Sequence, residues 1–272
     1  MKGGAGGRLI VLAIVLVLTL FVVIAPVSVV LVEGLSRGVG AFFGALGEED
    51  TLAAIRLSIV TALVVVPINT LFGIAAAWSI AKFTFPGRKL LLSVIELPFS
   101  VSPIVAGIAY LFVYGGQGLL GPFLEEHDIK IMFALPGIIL ASTFVTAPFV
   151  ARELIPLMQL QGNDDEEAAA TLGARGFQIF RRVTLPNIRW GLVYGIILCN
   201  ARVLGEFGAV SIVSGTIRGE TNTLPLQIEL LYHDYNTAGA FAAASVLTLV
   251  ALLTLAAKVA LEARIGRGQA GR

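Results

Sequence analysis

Six stretches of the chain are apolar over lengths that a membrane requires, and Gly-rich or charged segments separate them. Leu9 to Val32 comes first. It would form about 36 Å of helix, enough to cross the hydrocarbon core. Lys2 and Arg8 precede it as they would precede a signal peptide, but the apolar run is too long for a signal core and reads as a retained span. Leu52 to Ile80, Leu90 to Tyr114, Ile131 to Val150, Gly191 to Val213 and Gly239 to Leu261 follow. Polar segments at 33–50, 115–130 and 214–238 read as loops on one side, and 151–190 as a long loop on the other. The pattern predicts one all-α membrane domain over 1–272, with six transmembrane helices.

Charge placement orients these spans. Of the 19 Lys and Arg residues, Arg37, Arg56, Lys130 and Arg218 fall on one side, Arg202 lies inside a span, and the other fourteen fall on the opposite side. Such asymmetry puts the basic side, both termini and the 151–190 loop in the cytoplasm. At 57% hydrophobic residues and a mean hydropathy of +0.89, a soluble domain is excluded. The lone Cys199 excludes an intramolecular disulfide. His127 and His233 lie in separate outer loops without ligand spacing around them.

The loop between the fourth and fifth spans carries the densest local signals. Asn163 is placed to cap a helix, with Glu166 three residues on to reach back as in a capping box. Asp164 to Glu167 crowd the first turn, where carboxylates suit the helix dipole. Ala168 and Leu172 share a face, and Gly173 is placed to end the helix in the left-handed region. A second helix puts Phe177, Phe180 and Thr184 on one side and is expected to stop at Pro186. The result is a small-residue helical knob suited to a groove on a soluble partner.

Polar groups within the spans are the other candidates. Arg202 and Glu206 are one turn apart in the fifth span, so they share a face and can neutralise each other. They read either as the lining or gate of an anion path or as a pair that fixes helix packing. In the third span, Pro98 and Pro103 each remove a backbone donor, and Ser100 and Ser102 supply hydroxyls to the carbonyls left free. That is either a broken helix of the kind that lines transport paths or a simple kink. Asn69, beside Pro67, carries a weaker form of the same reading.

The spacing Glu167-Ala168-Ala169, three residues, Gly173, nine residues, Val183-Thr184-Leu185-Pro186 resembles the cytoplasmic signature of ABC importer permeases, with Val183 where the pattern usually has Ile. Leu97 to Gly107, Asn200-Ala201-Arg202, Gly205 to Val210 and Thr221 to Leu226 resemble the sulfate and thiosulfate (CysW-type) group of that family. Molybdate and tungstate permeases share the Gly-Glu-Phe-Gly-Ala element, so that element marks the oxyanion group. The resemblance implies the type I importer permease fold, with the first loop helix as a coupling helix. Glu167, Ala168, Ala169, Gly173, Val183, Leu185 and Pro186 would form the ATPase-coupling element. Asn69, Ser100, Ser102, Pro103, Arg202 and Glu206 are the candidates for the translocation path or gate.

The resemblance also implies partners: a homologous second permease, an ABC ATPase dimer, and a periplasmic or lipid-anchored oxyanion-binding protein, in a bacterial inner membrane. Nucleic acid is not among them. The chain lacks G-x-x-x-x-G-K-[ST], H-E-x-x-H and G-x-S-x-G. No cofactor or metal is expected on it, and ATP and Mg would be bound by the ATPase. A molybdate or tungstate permease is the alternative. A secondary transporter would need two related halves, which the chain does not show. A coupled subunit that does not transport would need no polar lining in spans three and five.

Overall fold

The computed structural model describes residues 5–270, with side chains from 9 to 261. Lys2, Arg8, Arg264, Arg267 and Arg272, counted above as inner charges, lie outside the described side chains. Helix α1 (Ala5–Thr19) passes through a π-helical turn, Leu20–Ile24, into α2 (Ala25–Leu35); α3 (Val39–Leu46) and α4 (Glu49–Lys82) follow. Next come α5 (Arg88–Ser100), α6 (Pro103–Tyr114), α7 (Gly121–Glu126), α8 (Leu135–Thr146), α9 (Pro148–Gln161), α10 (Asp164–Thr171) and α11 (Gly176–Ile179). A second π-helical turn, Phe180–Thr184, leads into α12 (Leu185–Leu204), then α13 (Gly208–Val213), α14 (Leu224–His233) and α15 (Thr237–Ala270).

The core forms where α4, α9 and α12 cross. Val65, Ala77 and Ile80 of α4 meet Val150, Leu154 and Met158 of α9, and Ile188 and Cys199 of α12 close the cluster. Glycine permits the approach. A Cβ on Gly73 would lie 2.6 Å from the Val150 Cβ, and one on Gly195 would lie 3.3 Å from the Val150 Cα. Small residues at crossings are how helices pack where lipid supplies no hydrophobic drive. On the other flank α2 lies along α15, where Gly34 faces Ser245, whose hydroxyl donates to the Phe241 carbonyl at 2.7 Å.

Among the described residues, four helices are long and apolar enough to cross a membrane: 9–35, 49–82, 135–161 and 237–261. The paired α5 and α6 make a fifth if taken as one span, bent by 106°. Three expected boundaries change. The fourth span continues from Leu135 to Gln161, so the loop does not begin at 151. Pro148 stands in the first turn of α9, and Ala147 keeps helical dihedrals, so the helix carries on. The charge that suggested an end at Val150 is accommodated: the Arg152 guanidinium lies over the Phe99 ring, 4.9 Å from its centroid.

The fifth stretch, 191–213, is not one helix. It ends at Leu204, and α13 starts at Gly208 after a non-helical break. Its start is earlier than expected too, because Pro186 opens α12 where the sequence suggested a stop. In the first turn proline's missing N–H has no partner to lose.

Candidate functional site

The helical knob. Helix α10 has Glu167 and Ala168 exposed and Ala169 half-buried. It ends as its sequence predicts. The Ala174 N–H donates to the Ala169 carbonyl at 3.0 Å and the Gly173 N–H to the Ala170 carbonyl at 2.9 Å, with Gly173 at φ +84°. This paired closure needs a left-handed residue at that point, which glycine adopts without strain. Leu172 is 88% exposed and Phe177 73%. Leu160, near the end of α9, is 87% exposed as well.

The start of α10 differs from the reading. Asn163 makes no side-chain cap. Glu166 turns instead toward the bundle, where its Oε1 pairs with Lys82 Nζ at 2.8 Å and accepts from the Thr184 hydroxyl at 3.1 Å. Lys82 Nζ also donates to the Gly162 carbonyl. Asp165 accepts from Asn187 Nδ2 at 3.0 Å. A charge-assisted bond to a partner over eighty positions away outcompetes the local cap. Lys82 and Asn187 are therefore functional candidates that no local spacing joins to α10, and Thr184, which the signature contains, gains a role that its spacing did not indicate. Val183 and Leu185 are half-buried and Pro186 is exposed, on the segment that joins the knob to α12.

The second site is where two broken spans meet. Val101 and Ser102 are extended between α5 and α6, and Pro103 opens α6. A Cβ on Gly208 would lie 3.0 Å from the Pro103 Cβ, and one on Gly107 would lie 2.8 Å from the Ala209 carbonyl oxygen. The breaks therefore pack on each other. Ser100 and Ser102 are exposed, and among the described residues neither hydroxyl makes a hydrogen bond, so they do not satisfy the carbonyls as expected.

At the second break, Glu206 is buried to 1% of its side chain, and its Oε2 pairs with Arg202 Nη1 at 2.6 Å. Its Oε1 accepts the Ala209 N–H at 3.1 Å, in the first turn of α13. The carboxylate thus has both a cation and a backbone donor, as a charge at this depth requires. The Arg202 side chain remains one-third exposed.

Asn69 does not join this site. It is fully buried, and its Nδ2 donates to Thr146 Oγ1 at 2.6 Å and to the Thr143 carbonyl at 3.3 Å. Cys199 Sγ lies 3.9 Å away. Asn69 therefore ties α4 to α8 and approaches α12 inside the core. Among the described residues no cluster of His, Cys, Asp and Glu could hold a metal ion.

Known proteins share this architecture. Residues 69–267 match the family described as binding-protein-dependent transport system inner membrane component, and the chain belongs to that family. It is a multi-pass membrane protein of the permease class. The chain is 52% identical over 259 residues to the sulfate transport system permease protein CysW of Escherichia coli (strain K12), covering 95% of this chain and 89% of that one. It is 49% identical to the CysW protein of a Synechocystis species, over 97% and 95% of the two chains. The CysT permease of Salmonella typhimurium is 33% identical over 92% and 90%. The crystal structure of a bacterial alginate ABC transporter in complex with an alginate-bound periplasmic protein shares the fold at a TM-score of 0.78, covering 95% and 94%, with 18% identity.

Proposed function

We propose that this chain is the membrane permease subunit of an ATP-driven importer for sulfate and thiosulfate. The observation that carries the reading is α10: a knob tied by Glu166 and Asp165 to the membrane helices, with an exposed Glu167, Ala168 and Leu172 face left for a partner. Near-full-length identity of about half to permeases named for sulfate transport supports the substrate.

ATP and Mg bind a separate ATPase dimer, which takes the α10 knob in a groove. A homologous second permease completes the path, as the additional similarity to a CysT protein supports. An oxyanion-binding protein delivers the substrate from the outer side. Both termini and α10 lie in the cytoplasm of a bacterial inner membrane, a placement supported by the surplus of Lys and Arg on that side. Closure of the ATPase dimer moves α10, the permeases rock, and a path opens beside the paired breaks. Ser100, Ser102 and Pro103 belong to the first of those breaks, and Arg202 and Glu206 flank the second, which packs on it through Gly208 and Pro103. The Arg202 side chain, one-third exposed, offers a tetrahedral dianion a donor already balanced by Glu206, so the anion is attracted without being trapped. Asn69 serves as a joint between the moving helices.

The test is uptake of labelled sulfate into vesicles holding this chain, the second permease, the ATPase and the binding protein, with thiosulfate and molybdate as competitors. Uptake that needs ATP and this chain, competed by thiosulfate and not by molybdate, is the expected result. Dominant competition by molybdate would assign the chain to that oxyanion instead. Flux without ATP would overturn the importer reading.

A further inference from the structure

We propose that Lys82 and Glu166 are the joint through which movement of α10 reaches the membrane bundle. The proposal rests on the importer reading above and concerns how its force is transmitted.

Among the described residues of α10, none is buried. A cleft of about 270 Å³ is lined by Glu166, Glu167 and Ala170 of the helix together with Trp78, Phe83 and Ile179. What bridges the gap is polar. Lys82 Nζ reaches Glu166 and the Gly162 carbonyl, so it grips both the first turn of α10 and the residue pair before it. The Lys82 side chain is only 6% exposed. Its ion pair is therefore screened less than one on an open surface. Thr184, buried in the π-helical turn before α12, donates to the same carboxylate oxygen. One carboxylate thus collects α4, α10 and the start of α12.

The far side of the joint is suited to carry displacement. Lys82 is the last residue of α4, a continuous 34-residue helix with Pro67 inside it, which packs on α8, α9 and α12. Farther along the same helix, Asn69 bonds Thr146, and the Ser58 hydroxyl accepts the Leu224 N–H of α14 at 2.8 Å. A shift of α10 is thereby delivered first along the segment from Lys82 to Asn69, which bonds α8, and then past Pro67 to Ser58 and α14. A joint of one ion pair and two hydrogen bonds over a cleft, with Asp165 bonded to Asn187 beside it, can pivot, whereas a packed apolar contact resists small rotations.

The experiment measures sulfate transported per ATP hydrolysed by the reconstituted complex, for Lys82→Met, Glu166→Gln and Lys82→Arg. Lys82→Met and Glu166→Gln should lower that ratio about tenfold, the size of an ordinary coupling between contacting residues, while ATP hydrolysis stays near wild type. Lys82→Arg, which keeps the charge and the donors, should hold the ratio near wild type. An unchanged ratio in both neutral variants overturns the joint. So does a parallel fall in uptake and hydrolysis, because that is the signature of lost assembly. If the wild-type complex transports without ATP, the importer reading fails, and amide exchange of residues 165–172 in the purified chain decides the joint alone. Lys82→Met should speed that exchange about tenfold through local opening, and unaltered exchange overturns the proposal.

Discussion

Glu166 and Glu206 are both carboxylates held by one basic side chain, at 2.8 Å from Lys82 and 2.6 Å from Arg202, yet they are built in opposite ways. Glu206 draws its cation from its own helix, one turn back, and its second bond from Ala209 three residues ahead. Everything it needs lies within eight residues. Glu166 has two partners that are distant in sequence, Lys82 on α4 and Thr184 after α11. The difference follows from surroundings. At membrane depth an unpaired carboxylate is too costly at any stage of insertion, so a local partner protects it before the bundle assembles. In the aqueous loop water solvates Glu166 until folding delivers its partners, so the pair can serve to connect elements. A local pair stabilises a break; a distant pair transmits.

Breaking the crossing that supports both sites should have the largest effect. Gly73→Leu would drive a side chain into Val150, where even a Cβ lies 2.6 Å from its neighbour. Overpacking typically costs about 1–3 kcal/mol, and more where backbones touch. The folded fraction recovered as a monodisperse peak on size-exclusion chromatography in detergent should fall sharply.

Glu206→Leu comes next. Leaving Arg202 without its partner should cost less than the roughly 3–5 kcal/mol of a fully buried pair, because that arginine is one-third exposed. The double variant Arg202→Met with Glu206→Leu should recover much of the thermal stability. If the pair also lines the path, the double variant remains defective in sulfate uptake, and full recovery of both would make the pair purely a packing device.

Smaller effects sharpen the comparison on the aqueous side. Gly173→Val places a β-branched residue at φ +84°, where the left-handed conformation costs about 1–2 kcal/mol. The helical closure of α10 should loosen and uptake fall, with the chain still folded. Asn69→Ala removes two interhelical hydrogen bonds, each worth about 0.6 kcal/mol in membrane bundles. A thermal shift of a few degrees should result. Leu172→Ser should leave the unfolding midpoint where it is, because the side chain touches little in this chain, while binding to the ATPase weakens about tenfold if Leu172 is an interface anchor. A change in stability without a change in binding would remove Leu172 from the interface.

The amino-acid sequence by itself determined what depends on neighbours a few residues apart. Apolar runs placed most of the helices, Gly173 marked the end of α10, and the four-residue spacing of Arg202 and Glu206 announced their pairing. Proline was harder to read. Pro103 did mark a break, but Pro148 and Pro186 sit in first turns of helices, and a missing N–H looks the same at a stop and at a start. The direction of Glu166 was decided only by tertiary structure, because a local cap and a distant lysine compete for one carboxylate and the sequence does not give the distance. The same holds for the meeting of Pro103 with Gly208 and for the burial of Asn69. Which polar groups face a partner, a path or the core depends on how the helices rotate against one another. That rotation is set by the summed packing of α4, α9 and α12, where Gly73 and Gly195 let backbones approach Val150, and no single stretch of the chain contains it.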